Sequence, residues 1–323
     1  MNLNQIIAPI ETELDRFGDH FREDIKSKVA FVDLIARYII KQKGKKIRPA
    51  LVLLTAKACG EVNEHTYRGA SLVEILHTAT LIHDDVVDDA DTRRGIASIN
   101  AVWKNKIAVL MGDYMLAKGL LLSLDNDEFT FLKIMSDAVR RMSEAEILQI
   151  AKSRQLDIDE KTYFRIISDK TASLLSTCCQ IGAASVTNDV AVREAMKEFG
   201  ENVGIVFQIR DDLLDYVGRK SITGKPAGLD MKEKKLTLPL IHSISRAPGS
   251  QSRQVLRIIK NGASRKDLES VIEFAHEFGG IDYATRKAEE YSKKAMDALS
   301  ILPSSDAKES LAGFVGYVLE RAK

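Results

Sequence analysis

Between Pro49 and Pro226 the chain has no proline, and the six it does have stand at 9, 49, 226, 239, 248 and 303. A proline inside a helix removes a backbone hydrogen bond and clashes with the preceding turn, so a proline-free stretch this long is open to being wound from helices. Its apolar residues recur at i, i+3 and i+4, without the alternation of a half-buried strand, which predicts long helices joined by short turns. No linker or low-complexity stretch divides the sequence, and the expectation is an all-α, single-domain bundle over residues 1–323. The spacing predicts an amphipathic opening helix over 6–22 packed on the outside and a short helix over 31–41. A helix ending at Gly60, others over 103–124 and 129–150, one opening near Ser168, and a surface loop over 246–252 complete the reading.

Hydrophobic residues make up 45% and charged residues 29%, enough for a sizeable core, and a net charge of +1 argues against a general nucleic-acid binder. No apolar run looks long enough to span a bilayer, and the first residues have neither a basic start nor a signal-peptide core, so no transmembrane segment is expected. The three cysteines, Cys59, Cys178 and Cys179, have no metal-ligand spacing and read as buried free thiols in a reducing compartment.

The chemistry concentrates at 77–95, HTATLIHDDVVDDADTRRG, where Asp84, Asp85, Asp88, Asp89 and Asp91 fall within eight residues and Arg93 and Arg94 follow. At helical spacing Asp84 and Asp88 share a face and Asp85 lies beside them. Carboxylates so placed repel, unless a divalent cation such as Mg²⁺ sits among them and completes its shell with water and phosphate. The arginines suit a bidentate grip on phosphate oxygens. Read alone, the stretch is also compatible with a solvated acidic helix end. A second copy, Asp211-Asp212-Leu213-Leu214-Asp215, closes another apolar helical run. Two DDxxD motifs in matching contexts describe a cavity with apolar walls and a metal-binding rim, fitted to a ligand greasy at one end and polyanionic at the other.

Ahead of Pro49, KQKGKKIRP places five cations around Gly44. Cations at a helix N-terminus oppose its dipole unless something negative lies there, and a phosphate would resolve the conflict. His77, two turns before Asp84, reads as a structural histidine when taken alone. Glu146 and Gln149 stand on a largely apolar helix, and small residues dominate the stretch after Ser168.

With GKKIRP at 44–49, both acidic motifs, Arg93-Arg94, Lys170-Thr171, Phe207-Gln208 and GKPAGLDMKEKKLTLP at 224–239, the chain resembles the trans-isoprenyl diphosphate synthases, the long-chain polyprenyl branch in particular. The resemblance implies the isoprenoid synthase-type fold, a bundle around a deep central cavity. It implies Mg²⁺, with Mn²⁺ able to substitute, held by Asp84, Asp88 and Asp211, with Asp85, Asp212 and Asp215 in or behind the metal shell. Isopentenyl diphosphate would be held by Lys45, Arg48, His77 and Arg94, and the allylic diphosphate by Arg93, Lys170, Thr171, Gln208, Lys225 and Lys235. Asp84, Asp88, Arg93, Lys170, Gln208, Asp211 and Lys225 form the expected catalytic set. A cytoplasmic homodimer with a peripheral membrane contact for product release is likewise implied, and quinone side chains are the usual destination of such products.

Product length should be set beside the first motif, where Ala79 and Thr80 are small at positions at which short-chain members place an aromatic floor, with Leu76 a turn deeper. Leu72 lies ~18 Å below Asp84 at ~1.5 Å per residue, and by resemblance the product has about thirty to fifty carbons, octaprenyl diphosphate falling inside that range. Small residues there are also compatible with mere close helix packing. Competing readings are a short-chain synthase, a class I terpene cyclase (which would normally carry a different second motif), a non-catalytic subunit of a two-component synthase, and a metal phosphohydrolase built on His83-Asp84.

Overall fold

A computed structural model describes residues 1–41, 44–93, 95–217, 231, 233–262 and 264–320; the expected site residues Arg94 and Lys225 lie outside the described residues, as do Arg321 and Lys323. The opening helix is split at Pro9 into α1 (Leu3–Ile7) and α2 (Glu11–Ile25), and α2 buries Leu14, Phe17, Phe21 and Ile25 on one face. Next come α3 (Ala30–Lys41), α4 (Ile47–Cys59) and α5 (Glu64–Val87). A two-stranded hairpin, β1 (Thr92–Arg93) with β2 (Ile96–Ala97), follows, pairing Arg93 with Ile96 around Gly95. At φ 78°, Gly95 adopts the left-handed backbone that such a tight turn requires. The helical spacing gave no sign of this hairpin, because two-residue strands carry no readable alternation.

The chain continues as α6 (Ile99–Leu124), α7 (Phe129–Gln155) and α8 (Glu160–Ile167). A π-helical turn, Ser168–Ala172, then leads into α9 (Ser173–Ala184). The helix expected to open at Ser168 therefore starts at Glu160, and 168 marks an irregularity inside it. After α9 come α10 (Val190–Val217), α11 (Leu238–Arg246), α12 (Gly249–Asn261), α13 (Arg265–Glu277), α14 (Gly280–Ala298) and α15 (Asp306–Leu319). The expected loop over 246–252 shrinks to Ala247 and Pro248, the latter capping α12.

α4 and α9 are apolar on every side, and each is buried along almost its whole length, the pattern of a central helix. α9 packs against α4, α5, α7 and α10, so the two motif-bearing helices, α5 and α10, flank a shared centre. One continuous apolar core joins residues from α1 to α15.

α6 corrects one expectation. It is long and apolar enough to cross a membrane by length and composition. It packs along α5, is broken at Lys104, where φ is 71°, and leaves Val102, Val109, Leu110, Leu116, Leu121 and Leu124 exposed.

Candidate active site

α5 ends inside the first motif, with Asp88 as its C-cap. Asp84 and Asp88 are open to solvent while Asp85, one position round the helix, is 4% exposed. The hairpin turns Arg93 back onto Asp85, with Nε and Nη2 each 2.6 Å from Oδ1. Partial desolvation pushes the Asp84 carboxyl above the ordinary value; the carboxylates of Glu146 and Asp88 push the same way, against Lys170 and Arg93.

A cleft of about 800 Å³ opens beside this rim. Its upper wall carries Lys45, Lys46 and Arg48 together with Asp85 and Arg93, and its lower wall is apolar, with Phe17, Phe21, Ile39, Ile40 and Leu81. The two sequence stretches singled out for anion binding and metal binding therefore share one cavity. Lys46 caps α4 with a left-handed backbone (φ 49°) and no side-chain cap, and Lys45 Nζ lies 3.4 Å from the Tyr317 hydroxyl of α15. His77 is buried on α5 between Glu74 and Thr78, which line the cleft.

His83 points the other way. Its ring lies against α6, with Nε2 3.3 Å from the Val109 carbonyl and 3.5 Å from Asp113. The approach needs Gly112, whose added Cβ would meet His83 Nε2 at 2.2 Å. The phosphohydrolase reading needs His83 and Asp84 on one metal, and this orientation separates them.

Opposite the first motif, α7, α8, the π turn and α10 build a second wall. Lys170 donates to Gln149 Oε1 at 2.7 Å and pairs with Glu146, so both polar residues on the apolar helix are accounted for. Thr171 Oγ1 donates to Gln208 Oε1 at 2.8 Å, Gln208 Nε2 donates to Asp212 Oδ1 at 2.8 Å, and the Tyr163 hydroxyl donates to Asp212 Oδ2 at 2.6 Å. Asp211 is exposed, Asp212 is 5% exposed and Asp215 half-buried. A pocket of about 110 Å³ brings Lys235 to Tyr163, Lys170 and Asp212.

The π turn is anchored from below by Arg141, which binds Asp169 at 2.7 Å, Glu201 at 2.8 Å and the Ser168 hydroxyl at 3.1 Å. Burial works against that guanidinium, but the bonds to Glu201 and Asp169 outweigh it and hold it charged. Neither Arg141 nor Tyr163 stood out in the sequence, where each is one polar residue in a helical run.

The residues expected to set product length are packed. Ala79 and Leu76 are each 2% exposed, and Leu76 lies against Gly119 of α6, where an added Cβ would meet it at 2.9 Å. The Thr80 hydroxyl bonds its own helix, to the His77 carbonyl at 2.8 Å.

Among the described residues no three carboxylate, histidine or cysteine side chains converge to hold a metal ion by themselves.

A family model described as polyprenyl synthetase matches residues 29–275. An all-trans-nonaprenyl-diphosphate synthase (geranyl-diphosphate specific) from Rhodobacter capsulatus is 38% identical, over 98% of this chain and 97% of its own. The structure is similar to a decaprenyl diphosphate synthase from Rhodobacter capsulatus (TM-score 0.92, 32% identity, all of both chains). It is also similar to a polyprenyl synthase from Caulobacter crescentus complexed with calcium and isoprenyl diphosphate (TM-score 0.89, 32% identity, 100% of this chain and 98% of that one).

Proposed function

We infer the activity from one premise: the chain belongs to the polyprenyl synthetase family. It is a trans-polyprenyl diphosphate synthase, a prenyltransferase that adds isopentenyl diphosphate repeatedly to an allylic diphosphate and so makes a long-chain product. The observation that carries the reading is that the first acidic motif shares an apolar-lined cleft with the cationic helix start, through Asp85 with Lys45, Lys46 and Arg48, while the second lines a pocket with Lys170 and Lys235.

Asp84, Asp88 and Asp211 would hold Mg²⁺, with Mn²⁺ as a substitute; the leading aspartate of each motif and Asp88 are turned to solvent, where an ion can reach them. When bound, the metal supplies the positive charge against which a diphosphate can leave. Lys170 and Lys235, with Arg93 and Lys225, add charge at the same end. Lys45, Arg48, His77 and Arg94 hold isopentenyl diphosphate with its double bond toward C1 of the allylic partner. The C1–oxygen bond breaks, a carbon–carbon bond forms at C1, and a proton passes to the departing diphosphate, so the protein supplies no nucleophile. The apolar wall keeps water from the allylic cation. Asp85 and Asp212, each buried and held by protein donors, orient their motifs rather than bind metal.

Ala79, Thr80 and Leu76 set product length, the chain growing down the seam between α5 and α6 as Leu76 shifts from Gly119. Residues 1–323 act as one domain in the cytoplasm, with a peripheral membrane contact for product release. The exposed apolar residues of α6, with Phe129, Ile147 and Ile150 of α7, support a homodimer that covers them.

The test is to incubate the protein with Mg²⁺, labelled isopentenyl diphosphate and farnesyl diphosphate and to size the products. Long polyprenyl products are expected. Cyclic hydrocarbon without isopentenyl uptake would indicate a cyclase, phosphate release without carbon–carbon bond formation a phosphohydrolase, and only short products a short-chain synthase.

A further inference from the structure

Asp212 is nearly shut off from solvent, and a carboxylate so placed is heavily penalised unless donors meet its oxygens. Two do: the Tyr163 hydroxyl at Oδ2 and Gln208 Nε2 at Oδ1. The 2.6 Å separation from Tyr163 lies in the range of a charge-assisted O–H···O⁻ bond. The Gln208 amide turns its N–H toward Asp212 and its carbonyl toward Thr171. Thr171 donates its proton to Gln208 Oε1, 2.8 Å away, which ties the π turn to α10. Donation therefore runs inward from both ends, from Thr171 through Gln208 to Asp212, and from Tyr163 to Asp212. Lys170 precedes Thr171 in the same π turn.

Packing alone does not require the Tyr163 hydroxyl. The ring is 4% exposed and meets Phe164 edge-on with centroids 5.5 Å apart, contacts that a phenylalanine would keep. What the hydroxyl adds is a fixed donor on Asp212, which leaves the other oxygen to Gln208.

We propose that Tyr163 is a positioning residue for the allylic half of the reaction, anchoring the Asp212–Gln208–Thr171 chain and thereby the placement of the π turn that carries Thr171 and Lys170. The assignment rests on the prenyltransferase reading. It concerns one hydroxyl, on a helix the sequence pattern did not mark.

The variant Tyr163→Phe removes only that hydroxyl. The expected result is a fall of about tenfold in kcat/KM for the allylic diphosphate, with KM for isopentenyl diphosphate within about twofold of wild type. Titration calorimetry with an unreactive allylic thiodiphosphate and Mg²⁺ should show correspondingly weaker binding. Tyr283→Phe is the control: its hydroxyl bonds Glu160, at the start of the same helix, at 2.6 Å, so a purely structural effect on α8 would appear there too. Tyr283→Phe is expected to lower Tm and leave both substrates' parameters alone. Asp212→Asn should reproduce the Tyr163→Phe pattern, and the double variant should be no worse than Asp212→Asn alone, since both act on one relay. A Tyr163→Phe enzyme with a lowered Tm but unchanged allylic kinetics and analogue binding would overturn the proposal, as would an equal kinetic loss in Tyr283→Phe. A wild-type protein that elongates nothing would overturn the family reading instead.

Discussion

At Asp84–Asp88 the helix stops inside its motif, whereas α10 runs through Asp211–Asp215 to Val217. Both motifs turn the leading aspartate to solvent and bury the second, as one spacing on two helices should. Their buried members are held differently. Asp85 meets a guanidinium, whereas the donors on Asp212 named above, Tyr163 and Gln208, are neutral. The first motif is thus clamped by a cation from its own loop, while Lys170 and Lys235 line the pocket beside the second. The shared DDxxD spacing fixes which carboxylate faces out; the surrounding elements fix what holds the buried one.

The largest effects should come from the leading aspartates, where the motifs are alike. EDTA should abolish activity and Mg²⁺ restore it, and Asp84→Ala and Asp211→Ala should each lower kcat by ~10²-fold or more. Full turnover without metal, or a large loss in one variant only, would break the equivalence. Below the rim the two regions should part. Ala79→Phe, five residues before Asp84, should shorten the product toward farnesyl or geranylgeranyl length while isopentenyl diphosphate is still consumed. Val206→Phe, five before Asp211 and 0% exposed, should leave length unchanged and destabilise by about 1–3 kcal/mol through overpacking. Product sizing checks both. If Thr78→Phe, on the wall of the larger cleft, shortened the product while Ala79→Phe did not, the chain would run between α2 and α5 instead.

The clamps predict a smaller contrast, read by urea unfolding. Arg93→Ala strands a buried carboxylate and should cost about 3 kcal/mol, while Gln208→Ala, removing a neutral donor, should cost about 1–2 kcal/mol. Equal losses would show that Arg93 is not the main stabiliser of Asp85. Smallest is Asp89→Ala, outside both repeats, expected to change kcat less than about twofold.

The helices, the paired motifs and the cationic start of α4 were legible because each is a local pattern: spacing, composition or a proline. Which neighbour would hold the buried aspartate of each pair was not, because Arg93 reaches Asp85 only through a hairpin of two-residue strands, too short to carry a period. Tyr163 and Arg141 act across helices, and a single polar residue in an apolar run looks the same whether it meets solvent or a partner. The π turn hid for the opposite reason: Ser168–Ala172 follows helical spacing in sequence, while its extra residue shows only in the backbone. The expectation that no apolar run is long enough to span a bilayer missed α6, because its charges sit far enough apart to leave one sufficiently apolar window.

Where α4 begins and α5 ends has a consequence for two substrates whose headgroups are chemically alike. α4 presents free N–H groups and Lys45, Lys46 and Arg48 to the cleft, so a bare diphosphate is welcome there. α5 presents its carbonyl end together with Asp84 and Asp88, a place from which the same bare diphosphate is repelled. The two stations are thus sorted by charge state rather than by shape: one accepts the naked anion, the other only an anion already partnered with cations. Lowering the free metal concentration should therefore empty one station and leave the other filled, so that the order in which the substrates load is written into the direction in which two neighbouring helices run.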